Sequence, residues 1–132
     1  MNIVADANIF IATLLNEPKK DEIIQNTEKS NIVSPKVLPY ELGNALVNLH
    51  RRNRLSEDQI ITAYQGYEKI PVRLVDIDIE KSLMISLKYG IYAYDAYYLE
   101  VAKRLRLPLL TLDKKMKEIA KKMRIQLLEE IM

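Results

Sequence analysis

Four acids stand where the chain would turn from one element into the next. Asp6 closes the apolar run Met1-Asn2-Ile3-Val4-Ala5, Glu41 falls one turn into a helical stretch, Asp95 opens another, and Asp113 closes Leu109-Leu110-Thr111-Leu112. Two of them follow short strand-like runs that lead directly into helices, and in open α/β sheets the crevice at the carboxyl ends of strands is where ligands bind. Carboxylates gathered there repel one another and are driven towards their neutral form by burial, so their convergence makes sense when a cation offsets the charge. The chemistry this predicts is a shared acidic pocket for a divalent metal. One or two such ions can activate a water, stabilise charge on phosphoryl oxygens and assist a leaving oxygen, which is what phosphodiester hydrolysis needs. Magnesium takes oxygen ligands and keeps several waters, so no cysteine or histidine is required.

The elements that must position these acids alternate along the chain. Residues 2 to 5 read as a buried strand, 8 to 16 as a helix stopped before Pro18, and 19 to 28 as a second short helix. Asn31 to Val33 reads as a strand, and Ser34-Pro35 as an N-cap and first helical position of a helix running to about Arg52, with Pro39 inside it. Ser56 and Gln59 form a capping box flanked by Leu55 and Ile60, which starts the next helix. There follow a strand at Val72 to Val75, a helix from Ile79 to Tyr89 stopped by Gly90, a helix from Tyr94 to Arg106, a strand at Leu109 to Leu112, a helix from Lys114 to Met123, and an edge strand at Ile125 to Leu128. Strands separated by helices predict a three-layer α/β/α sandwich around a central, mostly parallel sheet.

Helical spacing places Glu41 at the edge of the apolar stripe Leu38, Leu42, Ala45, Leu46 and Leu49. Asp95 lies near the border of the stripe Tyr98, Val101, Ala102 and Leu105. Both are therefore expected to point towards covered ground. Each acid also has an ordinary explanation. Asp95 or Asp113 can cap a helix, Asp6 can end a strand in an Asx-turn, and Glu41 can pair with a nearby Lys or Arg.

With 132 residues the chain is expected to form one domain, 1–132, with a core large enough to need no staple. It has no cysteine, which excludes a disulfide framework, thiol catalysis and a cysteine zinc site and suits a reducing cytoplasm. The N-terminus has no basic segment and meets an acid too early for a signal peptide, and no apolar run spans a membrane, so a soluble cytoplasmic protein is expected.

A net charge of +2 is uninformative until its distribution is considered. Between Val101 and Arg124 stand nine basic residues (Lys103, Arg104, Arg106, Lys114, Lys115, Lys117, Lys121, Lys122, Arg124) against Asp113 and Glu118. These form either a solvated face of two helices or a basic rim that takes phosphate beside an acidic pit. Among the clustered tyrosines, Tyr98 and Tyr94 read as core or support for the acids, and Tyr92 and Tyr97 as the better contacts for unpaired bases. The single histidine, His50, lies more than two turns beyond Glu41 on the same helix and reads as surface or interface rather than a general base.

The segments Val4-Ala5-Asp6-Ala7-Asn8-Ile9-Phe10, Ser34 to Leu46, Tyr94-Asp95-Ala96-Tyr97-Tyr98-Leu99 and Leu110-Thr111-Leu112-Asp113 together resemble the four motif blocks of PIN-domain nucleases. In order and spacing they are most similar to the small VapC-like toxins of toxin–antitoxin pairs, over essentially the whole chain. The resemblance implies that Asp6, Glu41, Asp95 and Asp113 bind metal and that Asn8 and Thr111 are polar supporting positions. It further implies an endoribonuclease using Mg²⁺ or Mn²⁺, a homodimer, and a cognate antitoxin that occupies a groove near the site. Within such a site Asp6 and Asp95 are expected to hold the principal ion. Glu41 and Asp113 would bind a second ion or orient water, with Asn8 and Thr111 fixing carboxylates by hydrogen bonds. Two other readings are a non-catalytic, RNA-processing or RNA-binding module on the same fold, and a magnesium-binding receiver domain. A receiver would carry an acidic pair after its first strand, where this chain has only Ala5-Asp6-Ala7.

Overall fold

Ile3, Val4 and Ala5 are wholly buried, and a strand without polar alternation belongs in the middle of a parallel sheet covered on both faces. The computed structural model describes residues 1–128. Its strands are β1 (Asn2–Ala5), β2 (Asn31–Pro35), β3 (Val72–Val75) and β4 (Leu109–Leu110), all parallel, in the spatial order β3-β2-β1-β4. The chain thus lays down β1, β2 and β3 outward in one direction and returns to place β4 on the other side of β1. That reversal is a topological switch point, and it opens a crevice between the carboxyl ends of β1 and β4.

The helices are α1 (Ala7–Leu14), α2 (Lys20–Thr27), α3 (Leu38–Arg51), α4 (Glu57–Glu68), α5 (Ile79–Tyr89), α6 (Ala93–Leu105) and α7 (Lys114–Lys122). They fall into two sets. α6 lies on the sheet against β1, β2 and β4, with α5 and α7 packed on it, while α1 gathers α2, α3 and α4 around itself. The result is the expected α/β/α arrangement. The predicted stripes are the buried ones: Leu38, Leu42 and Leu46 on α3, and Tyr98, Val101 and Ala102 on α6. Leu105, in the last turn of α6, departs from its stripe and is 38% exposed. The capping box at α4 forms as its residues require, with Gln59 N donating to Ser56 Oγ at 3.2 Å and Ser56 N donating to Gln59 Oε1 at 2.8 Å. Gly90 closes α5 in the left-handed conformation, φ +65°, that costs glycine least.

Three boundaries differ from expectation. Ser34 does not cap a helix, because Ser34 and Pro35 continue β2 opposite Leu74 and Val75. The Ser34 hydroxyl instead donates to the Ala5 carbonyl at 2.7 Å, tying together the carboxyl ends of β2 and β1. α3 begins only at Leu38, so Pro39 falls in its opening turn, where a missing N–H breaks no helical bond. β4 stops at Leu110, whose partner Ala5 is the last residue of β1 before Asp6 turns the chain into α1. With so short a partner, Ile125 to Leu128 forms no strand, only the single parallel bridge Leu109 to Leu127. Among the described residues no helix is long and apolar enough to cross a membrane.

Candidate functional site

Asp6 follows the last residue of β1 and is 4% exposed. Its Oδ1 accepts the N–H of Ile9 at 3.2 Å, capping α1, and its Oδ2 accepts the hydroxyl of Thr111, just beyond β4. Thr111 Oγ1 in turn accepts the N–H of Asp113 at 3.1 Å. One hydroxyl therefore couples both sides of the switch-point crevice. Asp113 spends Oδ1 on capping α7, accepting Lys115 N at 2.8 Å and Met116 N at 3.1 Å, and among the described residues its Oδ2 has no hydrogen bond. The ordinary explanation and the functional one thus coexist in Asp6 and in Asp113. Asp95 caps no helix, since Tyr92 holds the N-cap position of α6, and lies within the first turn, where a negative charge suits the helix N-terminus.

α6 supplies two groups to the crevice. Asp95 and Tyr98 are three residues apart and so share a face. Tyr98, 1% exposed, donates its phenol to Glu41 Oε1 at 2.9 Å, orienting the acid that α3 brings from beyond β2. Sequence reasoning had assigned Tyr98 to the core; its spacing from Asp95 was the available signal for a second role. Burial, then the nearby Glu41 charge, hold the Tyr98 phenol protonated, so it remains a donor. Asn8 is exposed on α1 and makes no hydrogen bond to the acids among the described residues. His50 closes the turn after α3, its Nδ1 donating to the Leu55 carbonyl at 2.8 Å, away from the acids in sequence and role.

Three of the acids, Asp6, Glu41 and Asp95, sense burial and their charged neighbours. Burial raises the Asp6 carboxyl from 3.8 to about 6, the charges of Asp95 and Asp113 push it the same way, and the Thr111 and Ile9 donors only partly oppose them. Burial raises Glu41 from 4.5 to about 7, with Asp95 and Asp6 adding to it against the Tyr98 hydrogen bond. Asp95 is raised by burial and then by Asp113. None of the four forms an ion pair with a Lys or Arg among the described residues. Glu100, 2% exposed on the same helix as Asp95, shows what a structural acid looks like in this fold. Its carboxylate accepts Arg104 Nε at 2.7 Å and the N–H of Asp78 at 2.9 Å, and Arg104 continues to the Asp76 carbonyl at 2.7 Å. The site acids lack such a counterion, and an oxygen-only, anionic donor set of this kind suits a hard divalent cation. No three His, Cys, Asp or Glu side chains among the described residues are, however, placed to hold a metal ion together as they stand. Magnesium bound largely through waters asks for only one or two carboxylates at once.

Tyr98→Phe is expected to lower stability by about 1 kcal/mol, the usual net worth of such a bond. It should also move the acidic limb of any Glu41-dependent activity to higher pH, because losing the donor raises Glu41 further. A kcat/KM profile against pH reads this shift, which a purely structural loss would leave in place.

Comparison with known proteins agrees with this layout. Over 123 residues the chain is 24% identical to Ribonuclease VapC3 of Pyrobaculum aerophilum, covering 89% of this chain and 94% of that protein. The crystal structure of PAE2754 from Pyrobaculum aerophilum superposes with a TM-score of 0.71 at 25% identity, over 99% of this chain and 95% of the other. VapBC2 from Rickettsia felis, bound to a DNA fragment from its promoter, shares the fold with a TM-score of 0.64 at 17% identity, over 90% and 93% of the two chains. A toxin–antitoxin complex from Klebsiella pneumoniae does so at 0.52 and 22% identity, over 86% and 88%. The family model described as PIN domain matches residues 3–122, a match that leaves no place for a receiver domain. Spanning all four acids and nearly the whole chain, it shows that this protein belongs to the PIN-domain family and is similar to VapC.

Proposed function

We propose that the chain is a divalent-metal-dependent endoribonuclease of the VapC type, the toxin of a toxin–antitoxin pair, formed by one domain over residues 1–132. The observation that carries this reading is the uncompensated acidic crevice: burial and neighbouring carboxylates, Asp113 among them, raise the proton affinity of Asp6, Glu41 and Asp95, whereas the structural acid Glu100 has its arginine. Asp6 and Asp95 would hold a principal Mg²⁺ or Mn²⁺, with Glu41 and Asp113 binding a second ion or a water. When bound, the metal would supply an activated water and charge stabilisation at a phosphoryl group. The chain's own contribution is orientation. Thr111 fixes Asp6, Tyr98 fixes Glu41, and the cap of α7 fixes Asp113, so carboxylate positions do not depend on flexible side chains finding them. Asn8, exposed beside Asp6 in sequence, is available to contact water or substrate rather than to brace an acid. By analogy with the toxin–antitoxin complexes of like fold, an antitoxin and a second copy of the chain are its proposed protein partners, and the cytoplasm its proposed compartment.

A second reading, an RNA-binding or RNA-processing module without its own catalysis, draws on the absence of a ready-made three-ligand group among the described residues. Incubating the purified chain, free of any antitoxin, with structured and unstructured RNAs separates the two. Cleavage with Mg²⁺ or Mn²⁺ that EDTA abolishes is expected; RNA binding with no divalent-dependent cleavage would favour the module.

A further inference from the structure

Next to the acids, Gly90, Ile91, Tyr92, Asp95 and Lys115 line a cleft of about 470 Å³, within the roughly 300–1,000 Å³ of small-ligand sites. Tyr92 is 84% exposed, whereas Tyr98 and Tyr67 are buried and Tyr94 and Tyr97 pack edge to face at 6.0 Å. The Tyr92 ring has no aromatic or cationic partner among the described residues, yet its backbone is held on both sides. Gly90 ends α5 in a left-handed turn, Ile91 N donates to the Ser86 carbonyl at 3.1 Å, the Ser86 hydroxyl donates to the Ile91 carbonyl, and Ala96 N donates to the Tyr92 carbonyl at 3.2 Å. An exposed aromatic ring on a pinned loop loses little entropy when something stacks on it. Across the cleft the Lys115 ammonium reaches the Gly90 carbonyl at only 3.5 Å, a weak contact that leaves it available, while the Lys115 N–H is anchored by Asp113.

We propose that this cleft seats one unpaired nucleotide of an RNA strand, its base stacked on Tyr92 and an adjoining phosphate held by Lys115. The inference rests on the nuclease reading and assigns Tyr92 and Lys115 to it as substrate-contacting residues. A lone ring can stack on any unpaired base but has nothing to offer a base inside a duplex, and an ammonium beside Asp95 places phosphate where the acids could act on it. Of the two tyrosines singled out from the sequence, the structure favours Tyr92, because Tyr97 is half-buried against Tyr94.

The test is binding of a labelled, unstructured RNA oligonucleotide by the full chain in Ca²⁺, read by anisotropy, with circular dichroism to verify that each variant folds. Tyr92→Ala is expected to weaken binding about tenfold, Tyr92→Trp to restore it, and a duplex of the same sequence to bind at least about tenfold more weakly than the single strand. Lys115→Ala is expected to flatten the slope of log affinity against log salt by about 0.7. Equal binding by Tyr92→Ala and wild type, failure of Tyr92→Trp to restore, duplex binding as tight as single-strand binding, or no binding by the wild type each overturns the proposal. These readouts need no turnover. A wild type that binds as expected but cleaves nothing with Mg²⁺ would remove the nuclease reading alone, and cleavage with Tyr92→Ala binding unchanged would remove the cleft alone.

Discussion

Replacing Asp6 or Asp95 by asparagine is expected to cut Mg²⁺-dependent RNA cleavage by more than about 100-fold, while the metal-free variants melt no lower than the wild type. The size of the loss follows from the role assigned to these acids, since even groups that merely support a metal ligand are worth roughly 10–100-fold. The sign of the stability change follows from electrostatics. Asparagine keeps the cap on α1, because its side-chain oxygen accepts the Ile9 N–H as well as an aspartate does, and it removes a charge that burial and the Asp95 and Asp113 carboxylates already oppose. At a pH above 7 in EDTA, each kcal/mol relieved should raise the midpoint by about 3–5 °C for a domain of this size. A variant that loses cleavage and also melts well below the wild type would mean that the acid was holding the fold. Retained cleavage in both variants would remove Asp6 and Asp95 from the chemistry.

Stability of the metal-free protein is expected to fall as pH rises from about 4 to above 7, the reverse of the usual behaviour of carboxylate-paired proteins. Asp6 binds its proton more tightly in the folded state, at about 6, than in the unfolded chain, at about 3.8. Between those values the native state carries more protons than the unfolded state, so the unfolding free energy declines with pH. Its contribution is complete below the unfolded value and lost on passing the folded one. For Asp6 the amount is on the order of 3 kcal/mol. Glu41, raised to about 7, acts in the same direction over a window extending higher, though its partial exposure and screening make its share smaller. Mg²⁺ should reverse the trend above pH 6, adding about 2.7 kcal/mol at a hundredfold excess over its dissociation constant. Urea unfolding in EDTA and in Mg²⁺ across pH 4 to 8 measures both effects. Metal-free stability that is flat or rising with pH, or a Mg²⁺ effect equal at pH 5 and pH 7.5, would contradict an uncompensated acidic crevice.

Local order along the chain was legible because short-range chemistry decides it. The Ser56 and Gln59 capping box, the Gly90 stop, the unbroken apolar run of β1 and the 3.6-residue stripes of α3 and α6 each need only neighbours within a turn or two, and each occurs as read save for Leu105 at the end of the α6 stripe. The alternation of strands and helices was enough for the layered parallel sheet, and the four acids were recognisable by their positions at element junctions. Ser34 was not legible, because its choice between capping a helix and extending β2 was decided by Leu74 and by the Ala5 carbonyl, both distant in sequence. Nor was the end of β4, set by its partner β1, which ends at Ala5 opposite Leu110, a strand distant in sequence.

Residue types and spacing alone thus determined which carboxylates exist and which elements carry them. Tertiary structure alone decided how each is held and what it faces: Tyr98 on Glu41, Thr111 between Asp6 and Asp113, Arg104 on Glu100 but, among the described residues, no ion-paired Lys or Arg on Asp6, Glu41, Asp95 or Asp113. The physical reason is range. Helix and turn preferences are settled within a few residues, whereas the burial and mutual repulsion that set a carboxylate's charge depend on groups as far apart in sequence as Asp6 and Thr111, which become neighbours only when β4 closes against β1.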